Sequence, residues 1–441
     1  SGKKSIQPSS RRNGRVPLPV DLPRVTEYKD PDPRLIEGMR CIGEDITEIL
    51  EYIPAGFYVR KIIRRKYAQG DGSGTVVMAP LPALPIEKGR PGPGVLAHII
   101  TSKYCDHLPL YRLEQIFERH GLQVSRSTQC DWIRDSAHLL EPIVLEAKRQ
   151  ILTSDVVHTD DTYIPVQDKT RTQVRKGYLW PYIDKANNVY FDYTTVRNRE
   201  GPADILSGYT GRIQADGFNG YDDLYGADKA TEVGCWAHSR RKFDQASPSD
   251  PVRANQMLAL IAQLYVVEAK ARDEGLDAEE IKALRQQISK PIIANQIAPL
   301  LARWHQEVLP QSPMGKAITY ATNQWQALQE YLNDGMLSID NSLAERTIKL
   351  VALGRKNWLF AGSDAGAQRA AILYSLIASC KLCKIDPLIY LRDVLDRINT
   401  HPANQIEELL PQRWKERFLP HITLPRWNAE SIEKALAEND A

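Results

Sequence analysis

Three acids define the chemistry open to this chain: Asp160, Asp216 and Glu345. Asp160 and Asp216 each close a run of alternating apolar residues, the pattern of a strand end. Glu345 lies in Ser338-Ile-Asp-Asn-Ser-Leu-Ala-Glu-Arg-Thr-Ile-Lys349, where Asn341, Glu345 and Lys349 recur every four residues and share one face of a helix. Phosphodiester cleavage by two metal ions needs carboxylates that hold two Mg²⁺ about 4 Å apart, one activating the nucleophile and one stabilising the leaving oxygen. Mg²⁺ takes oxygen ligands and keeps waters, so three acids suffice. Read alone, Ser342-x-x-Glu345 is a capping box with no chemistry; the two upstream aspartates turn the reading toward a metal ligand.

Asp161 competes with Asp160, because neighbouring strand residues point to opposite faces and only one can enter the site; Asp160 is preferred. Asp161, Asp340, Asn341 and His238 are placed to support the acids, with Asp340 also able to cap its helix. His238 belongs to Cys235-Trp-Ala-His238, the spacing of half a zinc finger with no second half in view. It reads equally as a core histidine or as a donor to a phosphate or carboxylate beside the site.

The elements that must carry these residues follow the chain order. Residues 1–30 hold Pro, Ser, Arg and Lys with little apolar content and read as a flexible basic arm. A small module follows over 31–78, with a helical stretch near Glu44 to Tyr52 and strand-like content over Phe57 to Tyr67. A stiff Pro/Gly linker spans 79–94. Residues 95–150 return to helical spacing, and His120 to Trp132 has the form of a helix-turn-helix whose second helix, capped by Ser125, presents Arg126, Ser127, Thr128 and Gln129.

From Asp155 the period is two. Asp155–Asp160, Gly177–Asp184 and Asn188–Thr195 read as strands, the last two as a hairpin. A short helix near Ala203 to Leu206 and a fourth strand, Arg212–Asp216, complete the run. Three strands, a helix and a strand make an α/β mixed sheet; in an RNase H-like sheet the first and fourth strands are neighbours, which would bring Asp160 and Asp216 together. The catalytic layer is thus expected over 151–243 and 334–400, interrupted by a helical insertion over 244–333 in which Asp277-x-x-Glu280 and Ser312-Pro313 mark helix starts. Residues 401–441 read as a polar tail.

At 441 residues the chain has room for roughly two to four domains. Its 42% hydrophobic and 25% charged content is that of globular protein. No apolar run reaches the roughly 18 residues of a membrane span, and Ser1-Gly-Lys-Lys4 is no secretory signal, so a cytoplasmic protein with no membrane partner is expected. The six cysteines are too few and scattered for a disulfide framework. Cys380-x-x-Cys383 reads as a buried helical pair rather than a metal site. Net charge is only +2, but basic residues cluster in the first twenty residues and over Arg60–Lys66, as local contacts to a polyanion require. Arg240, Arg241, Lys242, Arg346, Lys349, Arg355 and Lys356, with Trp358 and Phe360 among them, can form a phosphate-tracking groove with a stacking surface.

Four separated motifs carry a family resemblance: His158-Thr-Asp-Asp-Thr162, Ala215-Asp-Gly-Phe-Asn-Gly-Tyr221, Gly234-Cys-Trp-Ala-His-Ser-Arg-Arg-Lys-Phe243, and Asp340-Asn-Ser-Leu-Ala-Glu-Arg346 with Gly354-Arg-Lys-Asn-Trp358. In this order they resemble the insertion sequence sixty-six family of bacterial DDE transposases, the TnpC type. Lys103–Arg112, Ser125–Thr128, Leu409-Leu-Pro411 and Trp414 extend the likeness over about residues 15 to 415. The resemblance implies an RNase H-like catalytic domain and Mg²⁺-dependent cleavage and transfer of double-stranded DNA, with Mn²⁺ able to substitute. The DDE acids fall on Asp160, Asp216 and Glu345. It also implies terminal inverted repeats and target DNA as partners, a homo-oligomer on DNA, accessory proteins of the same element, and a nucleoid-associated protein of a bacterial cytoplasm.

Three departures stand out. The family has Asp-Glu-Thr where this chain has Asp160-Asp161-Thr162. The family's zinc module places a C-x-x-C after Lys-Tyr-Ala, whereas Gln69 and Gly72 follow Lys66-Tyr67-Ala68 here, so the 31–78 module is expected to be degenerate and to hold no zinc. The family's N-terminal coiled-coil segment does not precede it in this sequence. The rival reading is a DNA-binding protein derived from a transposase that has lost catalysis.

Overall fold

The structure, a computed structural model, describes residues 57, 66–68, 76–78, 83–86, 91–168, 170 and 172–422. The basic arm, most of the 31–78 module and residues 423–441 lie outside the described residues. Two compact units divide the chain, one of residues 62–420 and one of 1–61 with 421–441. Only the first is described in any length.

That unit begins with two short antiparallel strands, β1 (Lys66–Ala68) and β2 (Val76–Met78). Three helices follow: α1 (Pro93–Tyr104), α2 (Leu110–Arg119) and α3 (Arg126–Ile151). Proline opens α1, where a missing N–H costs nothing. Gly121 closes the α2 end at φ +73, and Ser125 Oγ accepts the Thr128 N–H to start α3. α3 runs on for 26 residues.

The sheet holds β3 (Val156–Thr159), β4 (Thr162–Val166), β5 (Arg175–Ile183), β6 (Val189–Thr194), β7 (Arg212–Gln214) and β8 (Thr231–Val233), with α4 (Glu200–Leu206) between β6 and β7. β3 pairs antiparallel with β5 and parallel with β7, and β8 extends the parallel side. β4 and β8 were not foreseen. β4 lies on the same edge of β5 as β3, and the register does not slip between them: Thr159 faces Tyr182 and Thr162 faces Leu179. Thus β3 and β4 are one strand line broken at Asp160-Asp161. The hairpin joining β5 to β6 turns at Asn187, φ +65, and is fixed by the buried Asp184, which accepts from Asn188 N and Nδ2. Asp184 is therefore a buried turn residue.

The parallel side leads into α5 (Trp236–Ala246) and the helical insertion: α6 (Pro251–Glu274), α7 (Ala278–Leu284), α8 (Lys290–Ile292), α9 (Ala298–Glu307), α10 (Pro313–Asn323) and α11 (Trp325–Glu330). Both expected start signals are in place: Asp277 and Glu280 form a reciprocal capping box, and Ser312 caps α10. Trp236, Phe243, Met257, Ile261, Ile297, Trp304 and Leu328 share one buried cluster, so the insertion packs as a core continuous with α5.

The chain returns as α12 (Ser342–Trp358), α13 (Asp364–Leu382), α14 (Pro387–Arg397) and α15 (Pro411–Arg417). β6 would be an open edge, but α13 covers it. Val189 N and Phe191 N donate to Ser379 Oγ and Ser375 Oγ at 2.9 and 2.8 Å, because i, i+4 on a helix matches i, i+2 on a strand. Residues 401–422, expected as tail, are folded: Trp414 is fully buried, with its indole N–H on Asp393 at 2.6 Å, and Tyr390 donates to the Leu409 carbonyl. Apolar Leu409-Leu410 and Trp414 supply the burial that an average over this polar segment conceals. Among the described residues no helix is long and apolar enough to cross a membrane.

Candidate active site

β3 and β7 run parallel with His158 opposite Gln214, and two residues beyond that pair each chain reaches an aspartate. Asp160 is buried at the break in the strand line, where Oδ1 accepts the Asp161 N–H at 2.7 Å. Asp216 accepts from Phe218 N at 3.0 Å across Gly217, whose φ of +78 favours glycine. A Cβ there would also come within 2.9 Å of the Gln324 side chain.

Glu345 enters from α12, one turn past the helix start. Asn341, fully buried, ties that start to the sheet. Its Nδ2 donates to the Thr159 carbonyl at 2.7 Å, its Oδ1 meets His158 Nδ1 at 3.3 Å, and its backbone N–H points at Cys235 Sγ at 3.2 Å. Asp340 takes the Ser342 N–H and accepts from Tyr265 OH, so Asp340 does the capping and Ser342 lies inside the helix. The capping box read in the sequence is thus not formed, and the Glu345 side chain is left for other partners. Arg241 Nη2 lies 3.0 Å from Glu345 Oε1, and His238 Nε2 lies 3.5 Å from the same oxygen.

Electrostatics ties the three acids together. Burial pushes the Asp160 carboxyl up to about 7, and the negative charges of Asp216, Asp161 and Glu345 add to that push. Burial holds the His238 imidazole below its usual range against the opposing pull of Asp216 and Glu345. Asp161 is raised by burial, but Arg197 pairs with it at 2.7 Å and opposes the rise. The two neighbouring aspartates therefore differ: one has a guanidinium partner, the other carries uncompensated charge among carboxylates. Cys235, His238 and Glu345 also converge, with one ligand atom of each lying within 4.8 Å of the others.

The basic and aromatic candidates separate. Arg240, Lys242, Arg346, Lys349 and Lys356 are exposed, and Lys242 lies over the Tyr320 ring. Arg126 and Ser127 are exposed at the start of α3, with Thr128 half-buried; Arg126 pairs with Glu114, and Ser127 meets Ser125. Gln129 is fully buried and donates to the Val124 carbonyl at 3.0 Å, so it braces the turn and presents nothing to a groove. Arg355 donates to Thr162 Oγ1 and the Tyr163 carbonyl and lies 3.7 Å over the Tyr163 ring, which locks α12 to β4. Trp358 packs across Gly354, where a Cβ would meet the indole nitrogen at 2.7 Å, and is not an open stacking face. Sequence reasoning missed Arg197, which also lies 3.9 Å over Phe218. It follows β6 in a plain polar stretch and carries no motif.

Residues 88–369 match the model of the Transposase IS66 family, residues 375–412 its C-terminal element, and residues 36–68 the zinc-finger binding domain of transposase IS66. The last match overturns the expectation of no zinc. That expectation rested on one local spacing, whereas zinc ligands can be drawn from separate parts of a chain. The 36–68 segment itself lies almost wholly outside the described residues. Uncharacterized protein y4hP of Sinorhizobium fredii is 33% identical over 94% of this chain and 79% of its own length. Uncharacterized protein y4qI of the same organism is 34% identical over 91% and 78%. With one family model spanning more than half of its residues and relatives a third identical over nine-tenths of its length, the chain belongs to the IS66 transposase family.

Proposed function

We propose that the chain is a DNA transposase that cleaves and joins the ends of an insertion sequence through the carboxylates of Asp160, Asp216 and Glu345. The observation that carries this reading is the parallel pairing of β3 with β7, which sets Asp160 and Asp216 each two residues beyond the His158–Gln214 pair; the charges of Asp216 and Glu345 add to the burial that raises the Asp160 carboxyl. One buried and two half-buried carboxylates whose charges act on one another fit a hard divalent cation. When bound, Mg²⁺ would activate the attacking oxygen and stabilise the leaving one. Asp160 and Asp216 hold their positions through the backbone N–H groups of Asp161 and Phe218, while Asn341 fixes the approach of α12. Arg241 pairs with Glu345 at 3.0 Å, and His238 Nε2 stands 3.5 Å from the same oxygen.

The strand order, with β3 central, β5 and β6 antiparallel on one side and β7 and β8 parallel on the other, supports the RNase H-like reading of the domain. DNA contacts fall to exposed Arg240, Lys242, Arg346, Lys349 and Lys356 and, through the helix-turn-helix, to Arg126 and Ser127. The partners are terminal inverted repeats and target DNA, with a homo-oligomer and helper proteins of the same element on a bacterial nucleoid.

The purified chain is expected to nick or join duplex DNA carrying the element's ends when Mg²⁺ is present. Unimpaired cleavage by Asp216→Asn would sink the reading. Tight, salt-sensitive binding of the ends without metal-dependent cleavage would instead mark a DNA-binding protein derived from a transposase.

A further inference from the structure

Cys235 caps the N-terminal end of α5, and His238 follows three residues later, so thiol and imidazole lie on one side of the same helical turn. Glu345 faces them from α12. One ligand atom of each lies within 4.8 Å of the other two. Cys235 is fully buried. The Nδ1 of His238 is buried and has no hydrogen-bond partner among the described residues, and its Nε2 stands 3.5 Å from Glu345 Oε1, too far for a strong bond. The imidazole thus stands beside two ligand-type groups without a strong hydrogen bond to either.

We propose that Cys235, His238 and Glu345 form a separate site for a thiophilic divalent cation of the zinc class, and that an ion there withdraws Glu345 from Asp160 and Asp216. Zinc bonds of about 2.0–2.3 Å in a tetrahedron place ligand atoms roughly 3.3–3.8 Å apart, so the trio has to close by only about an ångström. A water would complete the tetrahedron. Thiolate and imidazole are soft or borderline donors that Mg²⁺ does not favour, so this site differs in kind from the three carboxylates. On binding, the Cys235 thiol gives its proton to solvent, and the thiolate becomes the ligand. One carboxylate serves both sites, so the zinc-bound chain is held inactive. The binding stands on the trio alone; the effect on cleavage rests on the carboxylate reading above.

The test titrates the metal-free full chain, under reduction, with Co²⁺ and reads the thiolate-to-cobalt charge-transfer band. Wild type is expected to bind one more equivalent than Cys235→Ser, and that equivalent carries the band; Cys41→Ser, altered in the zinc-finger segment, is expected to keep it. Should Cys235→Ser fail to fold, His238→Gln is expected to lose the same equivalent with the buried thiol intact. Equal binding and equal spectra in wild type and the folded variant overturn the site. In the second arm, micromolar Zn²⁺ added to a Mg²⁺ cleavage assay is expected to suppress wild type at least tenfold and Cys235→Ser much less, each relative to its own zinc-free rate. Equal suppression overturns the regulatory role. Absence of cleavage by wild type with Mg²⁺ counts against the carboxylate reading and leaves the cobalt spectrum to decide the site.

Discussion

Arg241 and Glu345 form an ion pair across 104 residues of sequence, with the guanidinium 3.0 and 3.1 Å from the two carboxylate oxygens. The pair is open to solvent on one side: Arg241 is 50% exposed and Glu345 26%. Its net worth is therefore modest, about 0.5–1 kcal/mol. On the carboxylate reading proposed above, the pair is a placeholder that a divalent cation would displace, leaving the arginine to meet a phosphate.

Arg241→Gln removes that competitor. Mg²⁺ affinity of the DNA-free chain is expected to rise about two- to fivefold, the equivalent of the pair's energy. The check is the Mg²⁺ dependence of the melting temperature in wild type and variant. An identical dependence counts against Glu345 as a Mg²⁺ ligand.

Asp160 gives a prediction in pH. Its folded-state value of about 7 lies above the ordinary 3.8, so the folded protein binds this proton more tightly than the unfolded chain does. The ionised form is a cost that is fully present above pH 7 and disappears as the pH falls from about 7 toward 4. Asp160→Asn removes the charge and can still accept the Asp161 N–H. In metal-free buffer it is expected to stabilise the fold by a few kcal/mol at pH 8 and by little near pH 4, read as melting temperature across that range. A stabilisation that grows as the pH falls would contradict the burial and charge argument.

The parts of this fold legible in sequence are those set by local chemistry. Alternation marked β3, β5 and β6, Ser125 and Ser312 marked helix starts, and Asp277 with Glu280 marked a box that forms as read. β4 escaped because Pro165 argues against a strand and because the line passes through two aspartates that look like a turn. The three-residue β8 is too short to show a period. Gln129 carried the right chemistry for a groove but lies on the buried side of α3, which a residue type cannot reveal. The partners of Glu345 were out of reach for the same reason: Arg241 and His238 read as groove and neighbourhood residues, and only the folded chain brings them to one carboxylate.

Asn341 is the joint between α12 and the sheet. Replacing it with Ala leaves the Thr159 carbonyl without its side-chain donor and His158 Nδ1 without its acceptor in a fully buried place. The expected loss is about 2–4 kcal/mol of stability in urea unfolding. Asn341→Asp should be no better at pH 8, because an ionised carboxylate cannot donate to the carbonyl. Cleavage should fall further than stability alone explains, since the joint also aims Glu345. Equal stability of wild type and Asn341→Ala would refute the joint.

Arg285 plays the matching part for the insertion. It is 2% exposed at a π-helical turn after α7, its guanidinium doubly bonded to Glu268 at 2.6 and 2.8 Å and donating to the carbonyls of Tyr331, Asp334 and Leu337. Those carbonyls lie on the segment that brings the chain back from the insertion to Asp340 and α12. Arg285→Met would fill the space but strand the Glu268 charge and three acceptors, at about 3–5 kcal/mol. Glu268→Gln, which keeps an acceptor, should cost less. Hydrogen exchange separates a local from a global effect: Arg285→Met is expected to lose protection first over 331–341, and α12 should loosen while β5 and β6 remain protected. Uniform loss of protection would mean that Arg285 supports the insertion core rather than the return to the site.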